Sequence, residues 1–150
     1  YSKWIFIADT VMGGVSTGKI SFIEEKSGKI LRLSGEVSTA NNGGFIQART
    51  QINKKPAINS EGVRLIAKGN GEKYYIHLRT TGTFLPWQYF QSEFPSTNNW
   101  TEIILPFKNF TRSARGMRKK INPRNITTVG IVAYGKDYNA DLYVSEINFY

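Results

Sequence analysis

A period of two restricts this chain more than any other feature. Apolar and polar side chains alternate in short runs, and no stretch keeps a helical period over about 11 residues. Lys29–Val37 sets Leu31, Leu33 and Val37 on one face against Arg32, Ser34 and Glu36 on the other. Gly62–Lys68 alternates Val63, Leu65 and Ala67 with Arg64 and Lys68. Glu72–Thr81 sets Tyr74, Ile76 and Leu78 against Tyr75, His77 and Arg79. Thr101–Leu105 and Val129–Tyr134 repeat the rule. Such runs predict half-buried antiparallel strands with one face in a core.

Turn chemistry separates the runs. Lys68-Gly69-Asn70-Gly71-Glu72 reads as a hairpin between two alternating segments. Asn41-Asn42-Gly43-Gly44 precedes a strand over Phe45–Thr50. In Asp141–Tyr150 the phase changes, because Leu142 and Val144 share one parity while Ile147 and Phe149 share the other. A β-bulge near Ser145-Glu146 would put all four on the core side. Helical structure is limited to one turn at Asn122-Pro123-Arg124-Asn125, where Asn caps and Pro opens the turn. About nine or ten strands at this spacing predict an all-β sandwich.

The 150 residues fit one domain. A domain of this size buries roughly 70% of its unfolded surface, so no disulfide staple is needed. None is possible, because the chain has no cysteine. That absence excludes thiol catalysis, Cys-type zinc sites and thiol redox relays. A single histidine, His77, excludes a poly-His metal centre. No apolar run approaches the roughly 20 residues of a membrane-spanning helix.

Charge is unevenly placed. The net charge is +9, yet Ile103–Lys136 holds no acid and eight bases. Seven of these lie in Phe107–Asn125, a long connection for a sandwich. Either this is a solvated loop that keeps the protein soluble, or it faces an acidic partner. Arg118, Lys119 and Lys120 are expected to be exposed and to give weak, non-specific, salt-sensitive contact with acidic surfaces. No specific nucleic-acid motif is present.

One constellation is more informative than any single residue. Asp9-Thr-Val-Met12-Gly13-Gly14-Val-Ser16 is followed by Gly35-Glu-Val-Ser38 and Asn42-Gly43-Gly44-Phe45. Later come Gly69-Asn-Gly71-Glu-Lys-Tyr74, Tyr89-Phe-Gln-Ser-Glu-Phe94, Trp100, Leu105-Pro106-Phe107-Lys-Asn-Phe110 and Arg115-Gly116. In this order and spacing the chain resembles the complex I intermediate-associated protein 30 family, from Trp4 to Phe149. The resemblance implies a galactose-binding-like jelly-roll β-sandwich and a non-catalytic role. Eukaryotic members of that family are assembly factors for respiratory complex I, which implies a protein partner. Related sandwich folds serve as carbohydrate-binding modules, the alternative reading.

Physical reading of the residues runs alongside. Asp9 lies just before Gly13-Gly14, and a short carboxylate there can anchor a tight loop by accepting backbone N–H groups. A general base or a metal ligand is the other use of such a group. Gly13, Gly14, Gly43 and Gly44, with Asn42, read as loop geometry rather than a phosphate cradle, since no P-loop pattern accompanies them. Met12 reads as a core gap-filler. His77 and Arg79 share the non-core parity of one strand, and Trp87 and Tyr89 alternate on the next. Flat aromatics beside polar groups suit a sugar ring, with its apolar C–H face and polar rim. Arg115 is expected to be ordered by a carboxylate, Asp9 being one choice.

Catalysis has little to stand on. His77 has no nucleophile signature beside it, and nothing marks Asp9, Glu36, Glu93 and Glu102 as a catalytic pair. Asp141 and Glu146 could help hold a structural calcium, but no cluster of Asp residues supports this. The expectation is a non-enzyme with no cofactor and no metal. Its binding residues are expected to be His77, Arg79, Trp87, Tyr89 and Arg115.

Overall fold

The computed structural model describes residues 3–83 and 85–150. Its strands are β1 (Trp4–Ala8), β2 (Thr17–Glu25), β3 (Gly28–Val37), β4 (Phe45–Gln51), β5 (Gly62–Lys68), β6 (Lys73–Thr80), β7 (Phe90–Pro95), β8 (Thr101–Pro106), β9 (Thr111–Arg112), β10 (Ile126–Tyr134) and β11 (Tyr138–Phe149). They form two sheets, one of six strands in the order β1-β4-β10-β6-β7-β9 and one of five in the order β2-β3-β11-β5-β8. Every pairing is antiparallel. This is a jelly-roll sandwich, and the alternating runs supply both inner faces.

The core lies between the sheets. Ile46, Ala48, Tyr74, Ile76, Leu78, Phe90, Phe94, Val129 and Ile131 come from the six-stranded sheet. Leu31, Leu33, Val63, Leu65, Ile103, Leu142 and Val144 come from the other. Burying each such side chain contributes about 1.5–3 kcal/mol. Tyr74 is fully buried, and its hydroxyl is satisfied on both sides: it donates to Asn70 Oδ1 at 2.6 Å and accepts from the Asp141 amide at 2.9 Å.

The last strand carries the expected irregularity. The register of β11 against β5 shifts between Val144 and Glu146, so Ile147 and Phe149 pack against the core along with Leu142 and Val144. The expected helical turn forms at Pro123–Asn125, where the Asn122 side chain accepts from the Arg124 amide; the limit to one turn fails, because short 3-10 turns also form at Asp9–Met12, Ala40–Asn42 and Phe107–Asn109.

Two other expectations fail. The segment Gly69–Glu72 is not a hairpin: β5 pairs with β8 and β11, whereas β6 pairs with β7 and β10 in the opposite sheet. The connection crosses the sandwich, so the apolar faces of β5 and β6 meet the core from opposite sheets. Trp87 and Tyr89 are not on a strand either. Both precede β7, in the loop that leads from β6. The alternation of the sequence gave no warning of β1 and β2. Much of β2 is exposed, and it sits at the edge of its sheet.

Candidate functional site

The outer face of the six-stranded sheet forms an open cleft of about 900 Å³. Its floor is the non-core parity of β4, β10 and β6. Arg49 pairs with Gly130, and Gly130 with His77; one rung along, Gln47 pairs with Val132, and Val132 with Tyr75. Arg79 lies opposite Thr128. The Gln47 side chain lies over Gly130, where an added Cβ would be 2.4 Å from Gln47 Oε1 and 3.6 Å from His77 Cβ.

The first wall is built by the glycine motif. The Asp9 carboxylate is wholly buried (0% exposed). It accepts from the Ser16 amide at 3.0 Å, the Gly44 amide at 2.6 Å, the Phe45 amide at 3.2 Å and the Ser16 hydroxyl. A Cβ at Gly14 would lie 2.4 Å from Asp9 Cγ, and one at Gly43 would lie 2.5 Å from Asp9 Oδ2. These two glycines let two loops close on one carboxylate. Gly13 ends the Asp9–Met12 turn with a φ of 85°, a conformation suited to glycine. Asp9 does not line the cleft, but it sets the loop that holds Val11 and Met12 on the rim, facing Asn42, Gly43 and Gly44. Met12 is 61% exposed, so it does not fill the core; the turn carries it outwards.

The opposite wall is the loop between β6 and β7. Arg79 Nη2 donates to the carbonyls of Leu85 at 3.0 Å and Pro86 at 2.6 Å. The Ser113 hydroxyl donates to the Trp87 carbonyl and accepts from the Tyr89 amide at 2.9 Å. Trp87 is thereby held on the rim with 60% of its surface exposed. The Tyr89 ring stacks on His77, with centroids 4.0 Å apart and planes 11° from parallel. Tyr134 meets the edge of His77 and donates to Gln91 Oε1 at 2.6 Å.

The electrostatics of the floor are unusual. No Asp or Glu lines the cleft among the described residues. Burial weighs against charge on both Arg49 and Arg79, and Arg79 adds repulsion at Arg49. Arg49 makes one protein hydrogen bond among the described residues, from Nε to Gln47 Oε1 at 3.3 Å. Burial pushes the His77 imidazole down to about 3, and the positive charge of Arg49 and Arg79 reinforces the shift. A hydrogen-bonding effect from Gln91 opposes it without reversing it. His77 Nε2 is buried and has no hydrogen-bond partner among the described residues.

A pH dependence of stability follows. Folded His77 stays neutral, while unfolded His77 takes up a proton near its ordinary value of 6.5. Its contribution is fully present above 6.5 and is lost progressively as the pH falls towards 3. Urea denaturation is expected to show stability falling between pH 6.5 and about pH 5, above the main titration of carboxylates. His77→Phe, which keeps the aromatic stack, is expected to flatten that window. An equal slope in both proteins would assign the dependence to other groups.

The structure thus brings His77, Arg79, Trp87 and Tyr89 into one cleft, with Asn42, Gly43 and Gly44 at its edge. Arg115 stands apart. It is exposed, lines none of the cleft and has no ion pair among the described residues. The expected pairing with Asp9 fails because amides and a hydroxyl already surround that carboxylate. Arg112 orders the basic loop instead, donating from Nη1 to the carbonyls of Arg115 at 2.8 Å and Met117 at 2.7 Å. Arg118, Lys119 and Lys120 are exposed.

Other carboxylates are engaged elsewhere. Asp141 takes a bidentate bond from Arg32 at 2.9 and 3.0 Å, and Arg64 bridges Glu102 and Glu146. Gln47, Arg49, Gly130 and Tyr134 were missed as site residues. The parity of Phe45–Thr50 contains the signal for Gln47 and Arg49. In β10 the run is apolar on both parities, which hides the floor.

Fold and cleft together define a class: a jelly-roll sandwich with an open, aromatic-rimmed groove across one sheet. The chain belongs to the complex I intermediate-associated protein 30 family, whose sequence model matches residues 1–143. A search of curated proteins finds no match. Among solved structures, a family 11 carbohydrate-binding module from Clostridium thermocellum, in complex with a β-1,3-1,4-mixed-linked tetrasaccharide, superposes with a TM-score of 0.76. It is 14% identical, over 97% of this chain and 87% of that one. A family 30 carbohydrate-binding module gives 0.62 at 13% identity, over 89% and 73%. An exo-β-agarase gives 0.63 at 8% identity, over 98% of this chain and 23% of the enzyme. At these identities the likeness establishes the fold.

Proposed function

We propose that the protein is a non-catalytic binding module that holds a glycan chain in the cleft of its six-stranded sheet. The observation that carries this reading is the cleft itself: an exposed Trp87 and the stacked Tyr89–His77 pair stand over a floor of hydrogen-bonding groups. An indole face suits the C–H side of a sugar ring, and Gln47, Arg49 and Thr128 suit its hydroxyls. The similar carbohydrate-binding modules support the reading at the level of architecture. The test is a glycan array followed by calorimetry on Trp87→Ala. Affinity is expected to fall at least about tenfold, a loss of about 1.4 kcal/mol, with the melting temperature unchanged. Flat binding across all glycans for the wild type would remove the reading.

A second reading, contact with another protein, is favoured by the apolar rim. Val11 and Met12 are 75% and 61% exposed, and their flexible side chains suit a protein surface. The family name points the same way. Arg118, Lys119 and Lys120 would add weak, salt-sensitive attraction to an acidic partner. Capture of one specific protein that is lost with Met12→Asp, in the absence of glycan binding, would decide for it.

A further inference from the structure

The floor of the cleft contains two guanidinium groups and, among the described residues, no carboxylate. Arg49 and Arg79 come from strands on either side of β10, Arg49 opposite Gly130 and Arg79 opposite Thr128. Among the described residues neither makes an ion pair, although elsewhere Arg32 and Arg64 both pair with carboxylates. Arg79 is at least compensated by the carbonyls of Leu85 and Pro86. Arg49 has only the long bond to Gln47, so its terminal N–H groups have no protein partner among the described residues. Placing two like charges in a partly desolvated groove without an acid is unfavourable for the empty protein. The arrangement becomes favourable when an anion enters, and a guanidinium fork matches a carboxylate or sulfate bidentately.

We infer that the cleft takes an acidic glycan, with a uronate carboxylate or a sugar sulfate held by the Arg49 guanidinium on the floor of the cleft that it shares with Arg79. The inference rests on the glycan reading given above and narrows its ligand class. Trp87 stacks on a neighbouring sugar ring while Arg49 reads the charge. Gln47 Oε1 lies over Gly130 and accepts from Arg49 Nε, so the anion meets the terminal N–H groups of Arg49.

Calorimetry on the whole chain tests it with paired probes. Oligogalacturonate is compared with its methyl ester, which keeps the backbone and masks the charge. Sulfated carrageenan oligosaccharide is compared with its desulfated form, and this pair separates sulfate from carboxylate. A mixed-linked β-glucan tetrasaccharide serves as the neutral reference, and a Glu-rich peptide tests for an acidic protein segment. The charged member of one pair is expected to bind at least about tenfold tighter than its neutral form. Arg49→Gln is expected to abolish that preference, and Arg49→Lys to retain part of it. The melting temperature of ligand-free Arg49→Gln is expected to equal or exceed that of the wild type. If Arg49→Gln does not fold, the ester and desulfation comparisons on the wild type decide alone.

Equal binding of charged and neutral forms, sensitive to Trp87→Ala but not to Arg49→Gln, would overturn the acidic ligand and leave the glycan reading standing. Absence of binding to every glycan would overturn both. Binding of the peptide alone would do the same and assign the cleft to a protein.

Discussion

Asp9→Ala is expected to destabilise the protein by about 3 kcal/mol or more, since each buried donor left unpaired costs about 1–3 kcal/mol. Three backbone amides lose their acceptor at once, and the Ser16 hydroxyl keeps only the Ser38 carbonyl, at 3.2 Å. The loss is a large fraction of the roughly 5–15 kcal/mol that holds a typical domain folded. Asp9→Asn is expected to recover little, because its amide group presents N–H to the same donors. Burial works against the charge of Asp9, but the hydrogen bonds from Ser16, Gly44 and Phe45 outweigh it and hold the carboxyl below its ordinary 3.8. Its contribution is therefore present above 3.8 and is lost as the pH falls through the lowered value. Urea denaturation followed by tryptophan fluorescence measures the change. Unchanged stability with abolished ligand binding would make Asp9 a binding residue instead of an anchor.

Gly130→Leu is expected to abolish ligand binding while the domain remains folded, a loss of at least about 100-fold, or about 2.7 kcal/mol. The added Cβ would lie 2.4 Å from Gln47 Oε1, the far end of a flexible side chain that can swing aside. The leucine would then stand over the floor between Arg49 and His77, and would displace the Gln47 carboxamide to which Arg49 Nε donates. A side chain in mid-strand also removes the conformational cost of glycine, so the melting temperature should hold. Calorimetry with any ligand found for the wild type, alongside thermal denaturation, checks both halves. Undiminished affinity in a folded variant would place the ligand outside the cleft.

Much of the scaffold is visible in single residues and their spacing. The outward parity of His77 and Arg79 follows from alternation in β6, and the bulge in β11 follows from the parity change after Val144. The Asp9 and glycine motif marks a tight loop before any coordinates are known. The cleft is less visible. Arg49 lies on an alternating strand like many surface arginines, and only its neighbours across β10 make it an uncompensated charge. Arg112 and Arg115 look equivalent in sequence, yet the carbonyls that order the loop converge on Arg112.

The division between the two levels has a physical cause. Alternation, turn residues and the proline turn at Pro123 act through the backbone of a few neighbouring residues, so most of the strands and the all-β class are legible in the sequence, while β1 and β2 are not. Assignment of strands to sheets depends on hydrogen bonds between residues far apart in the chain. Gly69–Glu72 therefore reads as a hairpin until the partners of β5 and β6 are known. The charge balance of the cleft is likewise non-local. Coulomb interaction and desolvation depend on distance and burial in space, and it is the pairing of β4, β10 and β6 that puts Arg49 and Arg79 in one cleft with no acid lining it among the described residues.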